Sequence, residues 1–128
     1  MNYQIKLFHW PERRDHVIMI VRGFVEIEGF KQMFCKVGEM TASLWDCKVL
    51  IDLVDATYAL DPADIKALVS DIVPEIWPVN SKIALVSTPQ LQQHNQLLLL
   101  AGSLSNRGCK VAAFYDSKSA VTWLTENF

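Results

Sequence analysis

At 128 residues, 51% of them hydrophobic, with a formal net charge of -2, the chain is long enough to bury about two thirds of its unfolded surface as one domain, residues 1–128, without disulfide or metal staples. That charge gives no basic field to gather phosphates, so no nucleic-acid partner is expected. Cys35, Cys47 and Cys109 are odd in number and set in apolar surroundings, which suits buried thiols in a reducing compartment. The opening residues lack a signal-peptide pattern and no run approaches membrane-spanning length, so a soluble cytoplasmic protein is expected.

Tyr3, Ile5 and Leu7 alternate with polar residues, and the apolar run at residues 16–21 follows a turn at residues 11–15. Two strands so closely joined pair antiparallel, which places Arg13 and Arg14 in a solvated hairpin tip. From Gly23 or Glu26 onward, Ile27, Phe30, Phe34, Val37, Thr41 and Leu44 recur at three- and four-residue steps, the period of one helix face. Met33 and Met40 widen that stripe, while Phe24, Val25 and Trp45 flank its ends. Core packing accounts for most of it. Flexible Met beside Phe also suits a surface that adapts to apolar ligands.

Residues 49–54, apolar except for Asp52, read as a strand covered on both faces, and so as part of a parallel sheet. The next helix has a sharp start. Asp61 offers an acceptor to its orphan amides, Pro62 presets the first helical φ, and Asp64 puts negative charge in the first turn. Ile65, Leu68, Val69, Ile72 and Ile76 line one side of it. Pro74 removes the bond to the carbonyl of Ser70, at about 3 kcal/mol, and leaves residues 72–80 as a distorted end carrying Trp77. Either that end is a gate or lid, or the helix stops early with Trp77 tucked beneath it.

Residues 82–86 form the next buried strand, and Thr88 with Pro89 starts a helix that runs to about Leu104. Leu97, Leu100, Ala101 and Leu104 can face the sheet. Helical positions advance by about 100° each, so the run of leucines at residues 97–100 cannot hide on one face; Leu99 shares the polar side with Gln92, Asn95 and Gln96. Gly108 ends that helix, residues 110–115 read as the last strand, and Ser117 caps a closing helix that packs Ala120, Val121, Leu124 and Phe128 inward. The order β-β-α-β-α-β-α-β-α defines an α/β fold: a single mixed, mostly parallel five-stranded sheet with an N-terminal antiparallel hairpin and helices packed on it.

Within this order, residues 56–70, ATYALDPADIKALVS, resemble the strand-turn-helix segment of STAS domains, the anti-sigma-factor antagonist superfamily. Its motif of the type I-D-S-S-G begins a helix there. Leu60 and Asp61 match the first two positions; Pro62 stands where the family carries its phosphorylatable serine, and Ala63 and Asp64 replace the following Ser and Gly. Proline has no hydroxyl, so this position cannot be phosphorylated. The SpoIIAA-like branch, which lacks that serine, is the nearer match, and its ending resembles residues 110–124, KVAAFYDSKSAVTWL. The resemblance implies the same sheet and a binding role.

The residues propose no reaction, and no catalytic residue is assigned. His9 and His16 flank the hairpin, and His94 reads as an ordinary polar residue on a helix surface. Asp52, Asp55, Asp61 and Asp64 cluster near a carboxyl strand end, but two of them start a helix and a hard cation needs about six convergent oxygens, so no metal is expected. None of the five glycines forms a phosphate-binding pattern, and no cofactor is expected. Two functions follow. The first is a non-catalytic module that binds a small hydrophobic molecule or lipid through Phe30, Met33, Phe34, Val37, Val73, Trp77 and Leu98, with weak, reversible attachment to the inner face of the membrane. The second is a partner-switching module that meets a protein through Pro62, Ala63, Lys66 and Leu99. A homodimer that covers the surplus apolar surface is a third option.

Overall fold

The computed structural model describes residues 3–10, 13–41, 47–72, 81–87 and 90–126. Strands β1 (Tyr3–Trp10) and β2 (Arg13–Val25) form the expected antiparallel hairpin. Arg13 already pairs with Trp10 across a register shift at His9 and Trp10, so the expected tip at residues 13–14 is strand instead. Helix α1 spans Ile27–Thr41. Then come β3 (Lys48–Asp52), β4 (Ala56–Tyr58), α2 (Pro62–Ile72), β5 (Lys82–Val86), α3 (Leu91–Ser105), β6 (Lys110–Phe114) and α4 (Ser117–Thr125).

The sheet runs β1-β2-β3-β5-β6, antiparallel only in the first pair, and β4 joins it as a sixth strand beside β2. Five strands were expected. The missing one follows from the length of β2, which pairs β3 along its first half and then, beyond Gly23, pairs β4 over Gly23–Val25. Gly23 holds φ 98, a left-handed conformation that a side chain resists. The bend there carries β2 past the end of β3, and the Gly23 amide donates to the Asp55 carbonyl at 3.2 Å.

Apolar spacing decides which helix sides turn inward. Phe30, Met33, Phe34 and Val37 of α1, Ile65, Leu68 and Val69 of α2, and Leu97, Leu100, Ala101 and Leu104 of α3 join one core against Val17, Met19, Val49, Ile51, Ile83 and Leu85. The alternate strand residues face the other way. Leu50, Ala84 and Val86 meet Ala120 and Leu124 of α4 in a smaller cluster, as a period of two requires. Among the described residues, three helices cover one face and α4 the other.

Helix ends follow local chemistry, with two corrections. The Asp64 amide donates to Asp61 Oδ1 at 2.8 Å and the Asp61 amide reaches back to Asp64 Oδ2 at 3.5 Å, a capping box with Asp in the Glu position. For α4 the cap is Asp116, not Ser117: its carboxylate accepts from the Ser119 amide at 2.7 Å. Helix α3 begins at Leu91 behind Gln90, which makes no side-chain cap bond; Thr88 and Pro89 lie outside the described residues. Gly108, at φ 88, closes α3 as expected, and the Cys109 amide donates back to the Leu104 carbonyl at 3.2 Å. Cys47 and Cys109 are buried, and burial pushes the Cys109 thiol up. Cys35 is only half-buried, contrary to expectation. No helix among the described residues is long and apolar enough to cross a membrane.

Candidate functional site

Two glutamines of α3 fix the entrance to α2. Gln93 acts as one rung of a ladder: its Oε1 accepts from the Tyr58 amide at 3.1 Å and its Nε2 donates to the Tyr58 carbonyl at 2.6 Å. Gln96 Oε1 accepts from the Leu60 amide at 2.7 Å. The Tyr58 hydroxyl donates to the Gln93 carbonyl at 3.2 Å, and its ring meets Phe30 edge to face at 5.5 Å between centroids. Burial pushes that phenol far above its usual range. Buried backbone groups need partners. Here the partners come from α3, so the segment that leads from β4 into α2 is locked against that helix.

This lock shapes a trough on the outer surface of α2 and α3. One stretch, about 560 Å³, is lined by Leu60, Pro62, Leu91, Gln92, Gln96 and Leu99. A second, about 370 Å³, continues past Pro62 and Leu99 between Ile65, Lys66, Val69, Ser103 and Arg107. Leu91 is 65% exposed and Leu99 46%. Three of the four residues expected to meet a partner, Pro62, Lys66 and Leu99, therefore line one surface feature, and Ala63 is exposed next to Pro62. Leu91 and Arg107 complete the trough unforeseen. Positions 92, 96, 99 and 103 of α3 repeat every three or four residues, so the helical period carries that side of the trough, whereas Leu91 falls outside the series and Arg107 lies past the helix end.

The residues expected to hold an apolar ligand are not gathered in this way. Phe30, Met33, Phe34 and Val37 do lie together, but each is at most 2% exposed and packed into the main core. Leu98 is 47% exposed on α3. Val73 and Trp77, with the expected lid, lie outside the described residues.

His94 departs from expectation. It is 4% exposed, not a surface residue; its Nδ1 shares a 2.6 Å hydrogen bond with Ser87 Oγ, and its ring stacks on Tyr115 at 3.6 Å. Burial holds its imidazolium below the usual range. Ser87 also donates to the Phe114 carbonyl at 3.3 Å and is fully enclosed. A hydroxyl without a path to an external carbonyl cannot attack one. The pair instead ties the ends of β5 and β6 to α3. The aspartates are engaged locally: Asp52 Oδ1 accepts from the Val54 amide at 3.0 Å, Asp55 faces Arg22 at 3.8 Å, and Asp61 and Asp64 cap α2.

No protein-family model matches the chain, and no curated protein does. Solved structures do share its architecture. An uncharacterised DUF3478-family protein with a SpoIIAA-like fold, from Shewanella loihica, aligns over 96% of this chain and 94% of its own, with TM-score 0.53 and 18% identity. An anti-sigma factor antagonist from Mycobacterium paratuberculosis aligns over 97% and 95%, with TM-score 0.62 and 10% identity. The class is thereby defined: an α/β domain of the SpoIIAA-like fold. Within that class this chain carries Pro62 at the first turn of α2 and a half-apolar trough beside it.

Proposed function

We propose that the chain is a non-catalytic protein-interaction module of the partner-switching kind, and that the α2–α3 trough receives the partner. The observation that carries this reading is the convergence of Pro62, Lys66 and Leu99 on one trough, with Leu91 exposed at its end. An apolar centre within a polar rim is the anatomy of a binding surface. The fold is also that of a named anti-sigma factor antagonist. Pro62 offers no hydroxyl to a kinase, so control rests on concentration, ligand or conformation.

The test is affinity capture from native extract with the unaltered chain, Ala63→Glu and Leu99→Glu in parallel. Both positions are exposed, so both variants should fold. A stoichiometric protein retained by the native chain and lost from both variants supports the reading. No partner, or one that both variants retain, removes it. If a second copy of the chain is what is retained, the trough serves a homodimer.

A small apolar molecule or lipid is the second reading, favoured by Leu98 and Leu91 on the surface of α3. Burying an alkyl chain is worth about 0.8 kcal/mol per methylene, so a short tail would suffice. Mass spectrometry of an organic extract of the purified protein tests it; an extract without a stoichiometric lipid ends it.

A further inference from the structure

Strand β1 closes one end of the strand order. Among the described residues it pairs with β2 alone, so about half of its amides and carbonyls point away from the sheet. A pocket of about 610 Å³ lies there, lined by Tyr3, Gln4, Ile5 and Lys6 together with Gln32 and Lys36 of α1. Side chains alternate along a strand, so four successive residues line one pocket only where the open edge of the strand faces it. Helix α1 forms the second wall, with Gln32 and Lys36 one turn apart.

The two walls are fastened at the Tyr3 end. A Cβ on Gly29 would lie 3.1 Å from the Tyr3 ring and 2.7 Å from Val25, so the absent side chain is what lets the ring lie on the helix. The Tyr3 hydroxyl donates to Gln32 Oε1. At the other end a register shift at His9 and Trp10 interrupts the ladder, which leaves residues 3–8 as the regular edge.

Tyr3 and Ile5 are half-buried and turn toward the main core, whereas Lys6 and Lys36 are exposed. Among the described residues neither lysine forms an ion pair. A lysine on an edge strand keeps other strands off. Lys36 stands on the opposite wall, where it guards no edge. Two unpaired cations beside an apolar stretch complement an acidic chain. A second copy fits less well, because a two-fold contact brings the same lysines to both sides of one seam.

We infer that β1 is a docking edge for an extended acidic segment of another protein, which joins the sheet as a further strand, with apolar side chains against Tyr3 and Ile5 and carboxylates beside Lys6 and Lys36. Main-chain bonds of the added strand supply affinity, and the groove selects its side chains. This site lies between β1 and α1, apart from the α2–α3 trough, and does not rest on the partner reading.

The test titrates the full chain, by fluorescence polarisation at low salt, with the labelled hexapeptide Thr-Val-Thr-Val-Glu-Glu and with its reverse, since an added strand can run either way. Both place the valines on one face and the glutamates at the lysine end. Saturable binding of one of them is expected, weakened about two- to fivefold by Lys6→Gln or Lys36→Gln, further by both together, and by salt. Both lysines are exposed, so the variants should melt with the native chain. Methylating one alternate set of the peptide's amides should abolish binding while the other set is tolerated, and the amides of residues 3–8 should exchange hydrogen more slowly in the complex. Failure of both acidic peptides to bind, equal binding of peptides with lysine in place of glutamate, full retention by the double variant, or indifference to either methylated set would overturn the proposal. So would a dimer of the chain that the acidic peptides disperse, since the edge would then belong to a second copy.

Discussion

Among the described residues, three helices cover one face of the sheet, and the nine-residue α4 lies on the other. Under the three-helix face the core is continuous from Val17 to Leu104, with large side chains such as Phe30, Phe34 and Met33 fully enclosed. Under α4 it shrinks to Leu50, Ala84, Val86, Ala120 and Leu124. The difference separates duties. Helices α2 and α3 are held by inward leucines, by the Gln93 and Gln96 bonds and by α1, so their outer residues are free to present a surface. The α4 face is thin, and Lys82, which opens β5, lies against Trp123 of that short helix.

The largest expected effect tests the thick side. Phe30→Ala leaves a cavity at the centre of the main core and should cost about 3–5 kcal/mol in urea unfolding. Leu124→Ala, beneath α4, should cost about 2–3 kcal/mol, because a shallow cluster collapses more readily into the space left. If Leu124→Ala proves the more damaging, the contrast between the faces fails.

Next in size is the tie at the carboxyl end of β5. Ser87→Ala removes the partner of a buried imidazole and should cost about 1–3 kcal/mol. A smaller effect concerns pH. Burial lowers the folded-state pKa of His94, so as pH falls below about 6.5 the unfolded chain takes up the proton first and stability drops until the folded-state value is passed. His94→Gln should melt at a temperature that declines less between pH 7.5 and pH 5.5 than the native value does. Equal slopes would show that His94 contributes nothing to the pH dependence.

Much of the fold was legible because it is written in local patterns. The Asp61, Pro62 and Asp64 helix start, the glycine closing α3 and the inward leucines of α3 each need only their sequence neighbours. What escaped depends on distant partners. Ala56, Thr57 and Tyr58 are a strand only because Gly23 bends β2 toward them. Gln96 and His94 read as surface residues, since polarity alone does not reveal that a side chain is spent on a backbone amide or an enclosed serine. The candidate site divides the same way. Leu99 was readable from the helical step, whereas the Phe and Met stripe of α1 suggested a guest that the sheet itself supplies.

The smallest effect on stability is also where the largest effect on function is expected. Leu99→Glu, at an exposed position, should change unfolding free energy by no more than about 0.5 kcal/mol while abolishing partner capture. The most direct measurement places a photo-crosslinking amino acid at Ala63 on α2 and, separately, at Lys118 on α4, both exposed, and identifies adducts in native extract by mass spectrometry. A single protein adduct from position 63 and none from position 118 is the predicted result. Adducts from α4 alone, or from neither helix, would contradict the assignment of the trough.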